Sequence, residues 1–184
     1  MKATEILMDE HRVIERVLTA LEKAAQMLEG GRSIRPAFFL DAADFIKGFA
    51  DGCHHRKEEG MLFVAMMAHG IPDRGGPIGV MMAEHEQGRA FTRGMRAAAQ
   101  KLASGEGSAR EAVIANARGY VILLRQHIHK EDNILFPMAD RVIPPTEHKK
   151  INAAFEKVEH EETGAGMHEK YLALAEMLEK EVDV

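Results

Sequence analysis

Two stretches decide the reading of this chain: "FADGCHHRKEEGMLF", from Phe49 to Phe63, and "LLRQHIHKEDNILF", from Leu123 to Phe136. Each places a histidine four residues before a glutamate and then runs into Leu-Phe. Side chains on a helix advance by ~100° per residue. With His127 as origin, Glu131 falls at about 40°, Leu124 at about 60°, and Tyr120 and Met138 at about 20°. Glu131 thus stands inside an apolar stripe with His127 beside it, while His129 and Asn133 face away. The first stretch repeats the pattern, with Glu58 at about 40° from His54 among Met61, Leu62 and Ala65. Burying a glutamate costs free energy unless it is paired or binds a metal. A buried hydrogen-bonded pair is the plainer account of either stretch alone. Its recurrence argues for a site. Taken alone, His55 with Glu59 fits helix geometry as well as His54 with Glu58. Aligning the stretches favours the latter, because Ile128 takes the place of His55.

Glycine and proline divide the rest of the chain. A first helix is expected over residues 4–29, capped by Thr4 and ended by Gly30-Gly31. A second runs from Pro36 to about residue 69, with Gly48 and Gly52 allowing some bending. "GIPDRGGP" follows, and Pro77 opens a third helix over 77–103. Ser108 and Glu111 have capping-box spacing and open a fourth over 108–142, stopped by Pro144-Pro145. Four helices of ~25–35 residues with short connections predict an all-α, antiparallel, up-down four-helix bundle. The bundle is expected over 1–143. A helical extension over 144–184, with helices at 146–162 and 167–181 interrupted by "TGAG", could pack on the bundle or form a contact with a second copy.

Composition bounds the function. The chain has 184 residues, a net charge of −5, one cysteine and ten histidines. No basic block marks a nucleic-acid footprint, and no apolar run of ~18 residues marks a membrane span. With no signal-peptide pattern read at the start, the expectation is a soluble cytoplasmic protein. Cys53 alone excludes an internal disulfide and reads as inert packing. Tyr120 reads as core, Glu15 as solvated, and His148, His160 and His168 as surface residues.

The first and third helices complete a two-fold pattern. They carry "DEHRV" with His11 and "AEHEQ" with His85, at nearly equal distances before His54 and His127. Each helix hairpin therefore offers one histidine from its first helix and a His–Glu pair from its second. Four imidazoles and two carboxylates converging at one level suit first-row divalent metals. Two bridging carboxylates suit a pair, iron first.

These motifs resemble the hemerythrin-like (HHE cation-binding) domains, over about residues 4 to 142. The resemblance implies a non-haem di-iron centre, two iron ions joined by carboxylate and oxo or hydroxo bridges. Carried over by position, His11 and His54 would serve one iron, His85 and His127 the other, and Glu58 and Glu131 would bridge. Oxygen-carrying members have H-x-x-x-H on the third helix, where this chain has His85 followed by Arg89. They often have H-x-x-x-x-D on the fourth, where Asp132 stands in the fifth place after His127. The missing histidine leaves one ligand short. His55, on the other side of Glu58 from His54, could supply a fifth imidazole, and Glu86 is the second candidate.

Three functional classes follow. The first is a di-iron protein that binds or reacts with oxygen, peroxide or nitric oxide, in sensing, storage or detoxification. The second is a structural or interaction bundle with iron or zinc as a staple. The third, a ferritin-like oxidase, needs Glu-x-x-His on two helices, and no histidine here has a glutamate three residues before it.

Overall fold

The computed structural model describes residues 1–159 and 166–184. Among these the chain is helical, with no strand. Helix α1 spans Ala3–Glu29, α2 Pro36–Phe45, α3 Phe63–Ala68, α4 Pro77–Ala103, α5 Arg110–Lys130, α6 Phe136–Val142, α7 Pro145–Lys157 and α8 Met167–Val182. No helix among the described residues is long and apolar enough to cross a membrane.

The second and fourth long helices are not uniform α-helices. The chain stays helical from 36 to 68, but Ile46–His55 and Glu58–Leu62 are π-helical. Between α5 and α6, Glu131–Leu135 is π-helical as well. A π turn pairs each N–H with the carbonyl five residues back and so fits an extra residue into the turn. All three segments carry or adjoin the repeated His–Glu motif.

Two expected helix starts differ in detail. Helix α1 begins one residue early, at Ala3. Thr4 is no cap; its hydroxyl donates to Asp140, 2.8 Å away. The Lys2 backbone N–H donates instead to the Glu5 carboxylate. The capping box at Ser108 does not form: Gly107–Ala109 is a 3-10 turn, and α5 has no side-chain cap.

Helix α1 packs beside α2 and α5, and α4 also packs beside α2 and α5, so the long helices close a ring. Two apolar clusters fill it. The larger includes Leu18, Leu21, Phe38, Phe45, Phe49, Met95, Val113 and Leu124. The other, toward the opposite end, includes Leu7, Leu62, Phe63, Met66, Met81, Leu135, Phe136 and Phe155. His11, His54, His55, Glu58, His85, His127 and Glu131 belong to neither cluster, yet all are buried.

The C-terminal helices lie on the ring. Helix α7 packs against α1 and the π segment Glu58–Leu62; α8 packs against α1, α2 and the π segment Ile46–His55. The expected "TGAG" interruption and His160 fall wholly or partly outside the described residues. His148 corrects the surface reading: it is only 4 % exposed, and its Nδ1 accepts the Ala3 backbone N–H at 3.2 Å. His168 is half-buried, its ring 5.6 Å from Phe49.

Gly48 is the position that lets α8 approach. A Cβ there would stand 1.7 Å from the Tyr171 hydroxyl oxygen and 2.0 Å from the ring carbon bearing it. Gly48→Ala should therefore destabilise the chain by about 1–3 kcal/mol, the usual cost of overpacking. In a Tyr171→Ala background the same change should cost far less. Paired thermal unfolding of the two single variants and the double variant checks this; equal costs in both backgrounds would show that Tyr171 is not what Gly48 accommodates.

Candidate metal centre

All seven residues singled out in the sequence meet at one level. Two groups of potential ligand atoms form, His11, His54, Glu58 and Glu131 in one and His55, Glu58, His85 and His127 in the other. Within each group the atoms lie within 4.8 Å of one another. Glu58 is common to both. Its Oε1 is 3.5 Å from His54 Nε2 and its Oε2 3.4 Å from His85 Nε2. Glu131 does the same in the other sense, with Oε2 3.2 Å from His11 Nε2 and Oε1 3.1 Å from His127 Nε2. Each carboxylate thus directs one oxygen at a histidine of each hairpin.

His55 joins the second group, its ring stacked on His85 at 3.8 Å. The alternative, Glu86, is 64 % exposed and paired with Arg89 and Arg93, away from the groups. Arg89 itself binds Glu59.

The donor atoms are buried without conventional partners. Nε2 of His11, His54 and His55, and both carboxylate oxygens of Glu58 and of Glu131, have no hydrogen bond among the described residues. The Nε2 atoms of His85 and His127 stand 3.0 Å apart, aimed at each other. Buried polar atoms are nearly always satisfied. Converging nitrogen lone pairs and carboxylate oxygens are satisfied together by a cation, so these residues fit a metal.

Every one of the five imidazoles is held from behind. His11 Nδ1 bonds Asp132 at 2.7 Å, His54 Nδ1 Glu10 at 2.9 Å and His55 Nδ1 Asp51 at 3.0 Å. His85 Nδ1 bonds Glu59 at 2.7 Å and His127 Nδ1 Glu84 at 2.9 Å. A carboxylate that accepts a hydrogen bond from Nδ1–H fixes the tautomer and ring orientation and turns the Nε2 lone pair inward. Each of these carboxylates also faces a cation: Asp132 holds Arg12, Glu10 holds Lys57, Glu59 holds Arg89, Glu84 holds Lys130, and Asp51 lies 3.8 Å from the same Arg89. Sequence reasoning missed this outer layer, although a signal was present. Glu10 and Glu84 directly precede His11 and His85. In the aligned stretches, Lys57 and Lys130 precede the shared glutamates, and Glu59 and Asp132 follow them.

The repeated Leu-Phe is also explained. Phe136 stacks on His11 at 5.4 Å and Phe63 on His85 at 6.1 Å. The two phenylalanines wall the site against the smaller apolar cluster.

Electrostatics follow from this packing. Burial pushes the His11 and His127 pKa values down, but the carboxylates around them outweigh it. Asp132, Glu131 and Glu58 lift His11 to about 9, and Glu131, Glu84 and Glu58 lift His127 to about 10. His85 is raised, against its burial, by Glu58 and Glu59. His55 goes the other way: burial, then the charges of His85, His54 and His127, hold it well below the ordinary imidazole value. Burial lifts Asp51 to about 6, with Arg89 only partly opposing.

Residues 2–139 match a family model described as the hemerythrin HHE cation binding domain. Uncharacterized proteins of Mycobacterium bovis and Mycobacterium tuberculosis are 26 % identical over 163 residues, 88 % of this chain. The chain spans 63 % of the length of these relatives. No solved structure matches it.

A pH dependence follows for the metal-free chain. His11 and His127 have folded pKa values of about 9 and about 10, above the ordinary imidazole value of 6.5. Their contribution to stability is fully present below that ordinary value and is lost as pH rises through about 9 to 10. The melting temperature of metal-free protein should fall over this alkaline range, and His127→Gln should flatten the fall. Metal must displace the same protons, so loading at neutral pH should release about two per chain. Titration calorimetry in buffers of different ionisation enthalpy measures that number; release of none would contradict the assignment.

Proposed function

Because the chain belongs to the hemerythrin HHE cation-binding family, we propose that it is a non-haem di-iron protein that binds or reacts with a small oxidant: oxygen, peroxide or nitric oxide. One observation carries the reading, namely two buried carboxylates that each direct one oxygen into each of two imidazole groups. That arrangement suits two cations side by side, bridged by Glu58 and Glu131, in an antiparallel four-helix bundle. Mixed nitrogen and oxygen donors suit iron.

His11 and His54 would hold one ion, and His55, His85 and His127 the other. Bound iron would supply redox chemistry and Lewis acidity toward the oxidant. The chain's own residues do the rest. Asp132, Glu10, Asp51, Glu59 and Glu84 keep the Nδ1 protons and so keep the imidazoles in the ligating tautomer. Phe63, Phe136 and the two apolar clusters keep bulk water from the carboxylates.

A cleft of about 890 Å³ supports access by small molecules. It opens between the second long helix and α4, and Asp51, Glu59 and Arg89 line it. Asp51 and Glu59 are the carboxylates behind His55 and His85. The cleft therefore ends one residue layer from the second imidazole group.

Protein loaded with iron should contain two metals per chain by elemental analysis and absorb in the near ultraviolet. One metal or none would reject the di-metal reading, and tight zinc binding without reactivity would favour a staple. Glu58→Ala and Glu131→Ala should each lose at least one metal while staying folded, since each removes a buried charge and adds a strong helix former. His55→Ala should change azide or peroxide binding more than iron content. If both glutamate variants keep full metal and an unchanged spectrum, other carboxylates bridge.

A further inference from the structure

Lys57 is fully buried, at 0 % exposure, in the middle of the bundle wall. A buried ammonium needs anionic partners, and Lys57 has two. Its Nζ donates to Glu10 and to Glu159. Glu10 is the carboxylate that holds His54 Nδ1. Glu159 lies just beyond the end of α7, outside the part of the chain that matches the family model. Phe155, in the last turns of α7, places its ring 5.5 Å from the same ammonium. Glu10, Cys53 and Glu159 would by themselves make a third group able to hold a cation. Lys57 supplies that cation. Cys53 is no competing nucleophile, because burial and the Glu10 charge push its thiol to about 11.

The internal repeat provides a built-in comparison. Lys130 occupies the matching place in the other half, donates to Glu84, and Glu84 holds His127 Nδ1. The chemistry is the same: lysine, carboxylate, imidazole. The cover is not. Among the described residues Lys130 is 33 % exposed and pairs with Glu84, whereas Lys57 is fully buried between Glu10 and Glu159 with the Phe155 ring of α7 beside it. A partly exposed ammonium holds its carboxylate more loosely, because solvent competes for both. A buried one between two carboxylates holds more firmly.

We propose that Lys57 is a positioning residue through which Glu159 and α7 fix Glu10 and hence His54, so that the C-terminal extension completes the His11–His54 half of the metal centre. The inference rests on the di-metal reading above. It makes the two ions unequal in how firmly they are held, and assigns the extension a part in the site as well as in the fold.

The test uses full-length protein loaded with iron, and follows metal release to an excess of chelator together with circular dichroism. Wild type should release two ions in two phases. Lys57→Met should speed the slower phase by ~10-fold or more, the usual effect of losing a group behind a metal-binding histidine. Lys57→Arg should restore most of it. Glu159→Gln, at a residue 29 % exposed and tolerant of change, should speed the same phase several-fold with unchanged helicity. Lys130→Met should leave the slower phase alone and affect only the faster one. If Lys57→Met does not fold, Glu159→Gln carries the test. Equal effects of Lys57→Met and Lys130→Met on the slower phase, or wild-type release from Glu159→Gln, would overturn the proposal while the di-metal reading stands. Wild type that takes up no metal, or one ion, would end both.

Discussion

The structure depends on how two carboxylates are accommodated in the interior of a helical fold. Glu58 and Glu131 are both fully buried. Isolated, each would cost several kcal/mol after relaxation. The fold surrounds them with imidazoles, backs every imidazole with a further carboxylate, and sets a cation against each of those. Charge alternates outward, from shared glutamate to histidine to outer carboxylate to lysine or arginine. Glu131 is held well below the ordinary carboxylate range: His127 and His11 overcome its burial. Glu10 and Glu59 are likewise lowered against their burial by the histidine and the cation each one touches, and Glu84 chiefly by His127. A cation bound there would replace protons at the centre of a layer already built to hold positive charge.

Much of this was legible in the sequence because it repeats. Six of the seven central residues, the four long helical stretches and the breakers between them follow from helical spacing and from aligning one half with the other; His55 entered only as a candidate, beside Glu86, for the ligand that the resemblance leaves short. The π segments did not. A reading at a fixed ~100° per residue has no means of locating an extra residue in a turn. It still brought His54, Glu58 and Leu62 near one face, because local widening shifts neighbouring residues together. The burial of Lys57 was also hidden. A lysine in a charged "HRKEEG" run reads as solvated, and only the return of α7 over that face buries it. His148 escaped for the same reason: what covers it, the start of α1, is far away in sequence.

The family match covers residues 2–139, and every central residue lies within it. What lies beyond is not a tail appended to a finished unit. Glu147 meets His69, Glu159 meets Lys57, Glu179 meets Arg16 and Glu181 meets Arg35. The extension presents acidic residues, and the long helices answer with basic ones. Its docking is thus electrostatic at the rim and apolar beneath, through Ile151, Phe155, Leu178 and Val182.

The π segment Ile46–His55 has a consequence for how this chain can change over generations. A π turn takes in an extra residue by widening locally, so the helix beyond it keeps its faces. Loss of one residue there would tighten the turn toward ordinary winding and leave Glu58, Leu62 and Phe63 near the faces they hold. Substitution is open at solvent-facing positions such as Lys47. The segment that carries His54 and His55 is therefore also a place where this chain can change length by a residue without turning its core outward.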